Sequence, residues 1–153
     1  MTLIRKYREK GRSLLQEFLS ENTTPHSIAI GAAIGTFIAV LPTLGFTILL
    51  GLLAMLIYPK ANKLALFASF VFWNPITLIP LYMASYSIGD ALFGSQPVIR
   101  YNVIILDQIY NFSRRFLIGN FIIAIASSLL VYVIVRSVMF VYRKRRKSRS
   151  SRK

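Results

Sequence analysis

Two long uncharged segments, each interrupted by proline, constrain this chain more than any other feature. Residues 27–58 and residues 64–89 contain no Asp, Glu, Lys, Arg or His. The first segment is interrupted at Pro42, and the second at Pro75 and again at Pro80. Proline removes a backbone donor, and unpaired backbone groups are costly in hydrocarbon. We therefore expect broken helices whose free backbone groups are satisfied within the protein.

Charged residues are too few, and too close to the termini, for a soluble domain. They make up 16% of the 153 residues, whereas soluble domains carry about 25%. Eight Lys or Arg lie in residues 143–153 and five in residues 1–12, which accounts for most of the net charge of +14. Basic clusters beside hydrophobic spans mark the cytoplasmic side. The sequence thus predicts a multi-pass, all-α integral membrane protein of the cell (inner, cytoplasmic) membrane with both termini cytoplasmic.

The length of the first segment predicts a re-entrant hairpin. As one helix, residues 27–58 would be roughly 48 Å long, whereas the hydrocarbon core is about 30 Å thick. The segment is therefore too long for one crossing and too short for two crossings and a turn. Broken between Pro42 and Gly45, it gives two arms of roughly 22 Å each, which suits a hairpin that returns to the same side.

The rest of the chain divides into an N-terminal arm, a membrane domain over 25–142 and a tail. We interpret the arm, 1–24, as a basic amphipathic helix, either on the membrane surface or packed on the protein. Within the membrane domain, apolar and polar residues alternate irregularly in the predicted interfacial helix, 97–112. Twenty uncharged residues from 116 to 135, without proline, predict one ordinary transmembrane helix over 116–142. Residues 143–153 form a basic cytoplasmic tail.

Two topologies agree with these segments. In the first, residues 27–58 are re-entrant, residues 64–89 cross outward and residues 116–142 return. In the second, both broken segments are re-entrant and the 97–112 region crosses instead, although Asp107 makes that crossing less favourable.

Thr or Asn residues lie next to the prolines at both breaks, which suggests a polar path for a substrate. Paired interrupted helices are typical of transport sites near the bilayer midplane. We predict that the two breaks meet there, and the candidate path residues are Pro42, Thr43, Gly45, Thr47, Asn74, Pro75 and Thr77. The structural alternative is that the prolines only shape the helices and that Thr and Asn cap them.

Two further patterns predict contacts. Gly31, Gly35 and Ala39 recur every four residues, a spacing that lets helix backbones approach closely. The tail supplies candidate contacts for anionic lipid headgroups, namely Arg143, Lys144, Arg145, Arg146 and Lys147.

Several function classes lack the residues that they need. The chain has no cysteine and one histidine, His26, at the start of the first uncharged segment. No Asp, Glu, Lys, Arg or His lies inside either broken segment, so proton coupling is disfavoured. Asp90 and Asp107 are isolated and no catalytic pair is evident. We therefore expect no enzymatic activity, no cofactor, no metal and no nucleic-acid partner.

Four motifs occur in order along the chain: PHSIAIGAAIGTFIAVLPTLGF (25–46), Asn62, WNPITLIPLY (73–82) and YSIG (86–89). Together they resemble a family of prokaryotic membrane domains, domain of unknown function 2062. The resemblance covers roughly residues 20–135. The chain departs from the family pattern at 60–62, where an Arg is expected before the Asn, and at Thr47, where Gln is frequent.

The resemblance implies a multi-pass membrane protein and supplies no established activity. Some relatives are fused to glycosyltransferase domains, which points to polyprenyl or glycolipid pathways. The paired hairpins are also similar to those of DedA-like lipid transporters, which is an analogy of fold alone.

Two functions agree with these observations. The leading hypothesis is facilitated transport or translocation of a lipid or lipid-linked substrate through the paired breaks, by a homo-oligomer surrounded by membrane lipids. The alternative is a scaffold or anchor that does not transport, and that binds anionic lipid or a partner enzyme through its basic termini.

Overall fold

The computed structural model describes residues 24–43, 45–94 and 104–150, with side chains described as far as residue 144. Five helices make up the described chain, and they confirm the all-helical prediction: α1 Pro25–Val40, α2 Thr47–Ile57, α3 Lys63–Phe72, α4 Pro75–Phe93 and α5 Ile104–Ser150. The predicted N-terminal arm before Thr24 and residues 97–103 of the predicted interfacial helix lie outside the described residues.

Local chemistry sets both ends of α1. The Thr24 hydroxyl accepts a hydrogen bond from the Ser27 amide at 3.1 Å, and Pro25 occupies the first turn, where its missing N–H costs nothing. At the other end, Leu41 precedes Pro42 and is extended, with φ −64° and ψ 142°. Residues before proline avoid the helical region, so α1 stops at Val40.

The segment from α1 to α2 forms a hairpin whose two ends lie side by side. Gly45 makes the turn with φ +95°, a conformation that favours glycine. At the open end, the Ser27 hydroxyl donates to the Lys60 carbonyl at 2.6 Å, and the Asn62 amide donates to the Ser27 carbonyl at 3.0 Å. The break predicted at Pro42 to Gly45 is therefore present, and the chain returns to the end where α1 began.

The second uncharged segment is broken once, not twice. α3 ends at Phe72 and α4 begins at Pro75, as predicted, but α4 continues through Pro80. The predicted interruption at Pro80 is wrong. A proline inside a helix removes one hydrogen bond and bends the helix without necessarily ending it. Just beyond Pro80, the Tyr82 ring packs edge to face on the ring of Phe116 in α5, with 5.3 Å between the ring centres.

The last helix differs from the two-part interpretation. Residues 104–150 form one continuous helix of 47 residues, roughly 70 Å long, instead of an interfacial helix at 97–112 and a separate transmembrane helix at 116–142. No proline lies between residues 112 and 116, where the two predicted helices would have been separated. The charges of Arg114 and Arg115 are met by α4: Arg114 lies 4.9 Å from the centre of the Phe93 ring, and Arg115 pairs with Asp90 at 3.0 Å. The helix can therefore continue through them.

α5 is the element on which α1 and α4 pack, both in the antiparallel sense. Along α1, His26 meets Tyr132 and the Val40 carbonyl meets Asn120. Along α4, the Tyr82 ring meets Phe116 and Tyr86 stacks on Phe112. α3 runs parallel to α1 and packs on it. α1, α3 and α4 therefore run one way and α5 runs the other.

Most of the apolar surface is not covered by protein. Val71 and Ile76 are each 80% exposed, and Leu56 is 78% exposed. Two helices, α4 and α5, are long and apolar enough to cross a membrane, and only 11% and 17% of their most apolar windows are buried. The core helix of a soluble protein would be mostly buried, so this surface is compatible with a membrane protein.

Glycines set the closest helix contacts. A Cβ on Gly31 would collide with the carbonyl oxygen of Asn62, and one on Gly35 with that of Leu66. These two glycines let α1 lie directly against the backbone at the start of α3, while Ala39, one turn further on, is 7% exposed. In α5, a Cβ on Gly119 would collide with the Ser85 carbonyl of α4.

We expect Gly119→Ala to destabilise the protein more than Gly51→Ala. At Gly119 the added methyl group meets backbone, which cannot move aside, and overpacking of this kind costs about 1–3 kcal/mol. At Gly51 it meets the end of the Phe70 ring at 2.8 Å, which can rotate. The free energy of unfolding in detergent micelles, followed by far-UV circular dichroism, measures the difference. Equal effects of the two substitutions would contradict this packing.

Candidate functional site

The first break is closed by its own hydrogen bonds. The hydroxyls of Thr43 and Thr47 lie 2.6 Å apart and are hydrogen-bonded to each other. The Thr43 amide donates to the Leu41 carbonyl at 2.8 Å, and its carbonyl accepts from the Phe46 amide at 2.9 Å. Around Pro42, these groups therefore shape the turn between α1 and α2.

The second break is also closed locally. The Asn74 side-chain oxygen accepts from the amides of Ile76 at 2.9 Å and Thr77 at 3.2 Å, which caps α4. The Thr77 hydroxyl donates back to the Asn74 carbonyl at 2.9 Å and the Phe72 carbonyl at 3.3 Å. Pro75 takes the first helical position, where proline is favoured.

No hydrogen bond joins the two breaks within residues 24–43, 45–94 and 104–144. The polar groups predicted to line a path each form hydrogen bonds within their own break. Thr43 and Thr47 close one turn, and Asn74 and Thr77 close the other, while Gly45 supplies the positive φ.

The buried polar junction lies elsewhere, where α1, α4 and α5 meet. Asn120 and Ser85 are each 0% exposed. The Asn120 amide nitrogen donates to the Val40 carbonyl at 3.2 Å and lies 3.4 Å from the Ser85 hydroxyl. The Val40 carbonyl is one of the groups that a helix end leaves without a donor. Asn120 thus satisfies the backbone freed by the Pro42 break, a task that the sequence had suggested for Thr43 and Thr47.

Sequence reasoning missed Asn120 because it stands alone in the apolar stretch of α5. One signal was present: an amide next to glycine, Gly119-Asn120, inside an uncharged span. Small and polar neighbours of this kind mark close helix crossings in membranes. The partners, Val40 and Ser85, are 80 and 35 residues away, so no local pattern identifies them.

An apolar groove of about 670 Å³ lies between α1, α3 and α5 and opens to the surface. Its few polar groups are paired: the Trp73 indole donates to the Thr36 hydroxyl at 3.0 Å, and the Ser69 hydroxyl donates to the Ala32 carbonyl at 3.1 Å. The remaining lining is aliphatic and aromatic: Ile28, Ala65, Ala68, Phe72, Leu130, Val131, Ile134, Val135 and Met139. Among the residues that the structure describes, no charged side chain lines the groove.

The predicted headgroup contacts lie at the far end of α5. Arg143 and Lys144 belong to its helical continuation. The side chains of Arg145, Arg146 and Lys147 lie outside the described residues.

A family model described as "Uncharacterized protein conserved in bacteria (DUF2062)" matches residues 9–148. The chain belongs to this family. The match to DUF2062 spans α1 to α4 and α5 as far as residue 148, and it confirms the resemblance seen in the motifs. No curated protein and no solved structure matches the chain.

The residues that carry the DUF2062 resemblance cap helices or make the contacts between them. Ser27 fastens the open end of the hairpin, and Gly31 receives the backbone at Asn62. The Asn62 side chain accepts from the Ala65 amide at 2.8 Å and caps α3, as Asn74 caps α4. These motif positions therefore have structural roles that their chemistry explains.

We expect Asn120→Ala to lower the free energy of unfolding by about 1–3 kcal/mol, the cost of leaving a buried carbonyl without a donor. Asn120→Asp should cost more, because it removes the same donor and adds a charge in apolar surroundings. Ser127→Ala is the matched control, since the Ser127 hydroxyl bonds only to carbonyls of its own helix. Chemical unfolding in micelles measures all three, and an Asn120→Ala effect no larger than the control would contradict the junction.

Proposed function

We propose that this chain is a small multi-pass membrane protein that facilitates the movement of a lipid or lipid-linked substrate, with an acyl chain held in the groove between α1, α3 and α5. The observation that carries the proposal is the lining of that groove. Its hydroxyl and indole groups are already paired, and its remaining wall is apolar. A polar solute would find no free partner there, whereas an acyl chain would bury apolar surface on both sides.

The arrangement of the helices supports a specific topology. α4 and α5 are the two candidate spans. α1 has 16 residues, roughly 24 Å, which is shorter than a hydrocarbon core of about 30 Å. Because the hairpin ends meet at Ser27 and Lys60, we propose that α1 and α2 are re-entrant.

Charge supports the orientation. Lys60 and Lys63 lie at the open end of the hairpin, and Arg136, Arg143 and Lys144 lie towards the same end of α5. By the positive-inside rule this end faces the cytoplasm, so both termini are cytoplasmic. The groove then opens sideways into the bilayer, and movement through it is passive, because no charged group of the described residues lines it. We also propose a homo-oligomer, since two spans enclose little volume.

Filling the groove should abolish lipid movement without unfolding the protein. Ala68 lines the groove and is exposed, so Ala68→Phe adds a ring to the groove without displacing packed neighbours. Ala84→Phe is the matched control, on the exposed side of α4. In liposomes of headgroup-labelled lipid, the wild type and the control should move lipid faster than empty liposomes, and Ala68→Phe should be several-fold slower.

A second readout measures acyl-chain occupancy directly. Trp73 is the only tryptophan of the chain and lines the groove, so lipids brominated on the acyl chain should quench its fluorescence. Ala68→Phe should reduce the quenching and Ala84→Phe should not. Equal quenching in both variants would contradict acyl-chain binding, and wild-type lipid movement no faster than in empty liposomes would contradict transport.

The second candidate is a scaffold that does not transport, favoured by the basic end of α5, where each Lys or Arg near an anionic surface contributes about 1 kcal/mol. Deleting residues 143–153 separates the two functions. A scaffold loses binding to anionic vesicles, whereas a transporter in liposomes keeps its rate per inserted molecule.

A further inference from the structure

A second cavity, of about 530 Å³, lies where the start of α1 meets the later part of α5. Its lining is mixed: Thr24, His26, Arg136 and Ser137 are polar or charged, and Pro25, Phe140 and Val141 are apolar. The described lining of the groove proposed for an acyl chain has no charged residue, so the two cavities differ in the chemistry that they can bind.

Three side chains form a connected cluster beside this cavity. An Arg136 guanidinium nitrogen donates to the Tyr132 hydroxyl at 2.8 Å, and that hydroxyl lies 2.8 Å from His26 Nδ1. The Tyr132 hydroxyl has one proton, and it already accepts from Arg136. When it donates to His26 Nδ1, the neutral imidazole carries its single ring proton on Nε2, which is then a donor. The cluster therefore fixes the orientation of two donors, the imidazole and the guanidinium.

The charge of Arg136 is not met by a carboxylate among the described residues. The described acids are Asp90, paired with Arg115 at 3.0 Å, and Asp107. Arg115 and Arg136 are separated by 21 residues of α5, roughly 31 Å along the helix, and Asp107 lies further still from Arg136. A guanidinium has five N–H donors in a planar fork, and one pairing with Tyr132 leaves the others available.

The cluster of His26, Tyr132 and Arg136 lies where one face of the hydrocarbon core is expected. The distance from Arg115 to Arg136 is about the thickness of a hydrocarbon core, so the two arginines fall at its opposite faces. On the proposed orientation, Arg136 lies at the cytoplasmic face, at the depth of lipid phosphates.

We propose that His26, Arg136 and Ser137, oriented by Tyr132, bind the phosphate of an anionic membrane lipid, with Phe140 and Val141 against the first carbons of its chains. The guanidinium fork suits two phosphate oxygens, and the imidazole and the Ser137 hydroxyl donate to the rest. This inference rests on the proposed function for the choice of a lipid, and the bound phosphate would select anionic phospholipids at the cytoplasmic face.

The sole histidine makes the site observable. In protein labelled at histidine, the His26 imidazole gives one NMR signal set, which should shift as short-chain phosphatidylglycerol is titrated into micelles of the full chain. We expect Arg136→Gln to weaken this binding at least tenfold and Arg136→Lys to weaken it less, because the lysine keeps the charge but loses the fork. Tyr132→Phe should weaken it while leaving the charge unchanged.

Two controls exclude general attraction to positive charge. Lys63→Gln removes a charge at the start of α3, outside the cavity lining, and should change the affinity less than twofold. Glu21→Gln removes the nearest acid in the sequence before His26 and should not weaken binding.

Each contrary result overturns a defined part of the inference. No shift of the His26 signals with phosphatidylglycerol, or equal losses for Arg136→Gln and Lys63→Gln, would contradict the site. Equal affinity for inorganic phosphate would contradict a lipid ligand and leave only a general anion site. Because the titration needs no lipid movement, failure of the Ala68→Phe experiment would overturn the transport proposal without altering this result.

Discussion

The fold depends on the hydrogen bond from Asn120 to the Val40 carbonyl. α1 has to end at Val40 because Pro42 forces the preceding residue out of helical geometry, and the carbonyls at that end then have no donor within the helix. In apolar surroundings such a group costs several kcal/mol unless the protein satisfies it. Asn120 supplies the donor at 3.2 Å and also reaches Ser85. One amide therefore joins the three helices α1, α4 and α5.

The groove between α1, α3 and α5 results from the contacts that fix α1 against its neighbours. Asn120 fixes the end of α1 against α5, and the contact of His26 with Tyr132 fixes its start. On its other side, the bare backbone of Gly35 receives α3. With α1 fastened to both neighbours, α3 and α5 stay apart along part of their length, and the space between them remains open and apolar. The same contacts that satisfy the broken backbone thus create the proposed acyl-chain site.

The sequence predicted features governed by local chemistry. Proline with its preceding residue located the breaks at Pro42 and Asn74-Pro75, and the glycine spacing indicated a close contact of α1. Prediction from the sequence was weaker where the structure depends on contacts between residues far apart in the chain. Pro80 lies inside α4, and just beyond it Tyr82 packs on α5; Arg115 lies inside α5 and pairs with Asp90 of α4. Asn120 went unrecognised for the same reason: its role depends on which backbone approaches it.

The proposals share one arrangement in the membrane: we propose that the α1–α2 hairpin returns to the cytoplasmic face and that, of the described helices, α4 and α5 cross. Since the chain has no cysteine, single cysteines at Lys60, Gly94 and Lys144 can be labelled from either side of oriented vesicles with an impermeant maleimide. We predict that Lys60→Cys and Lys144→Cys react from the cytoplasmic side and Gly94→Cys only from the opposite side. Labelling of Lys60→Cys from the side opposite to Lys144→Cys would contradict the re-entrant hairpin and the account built on it.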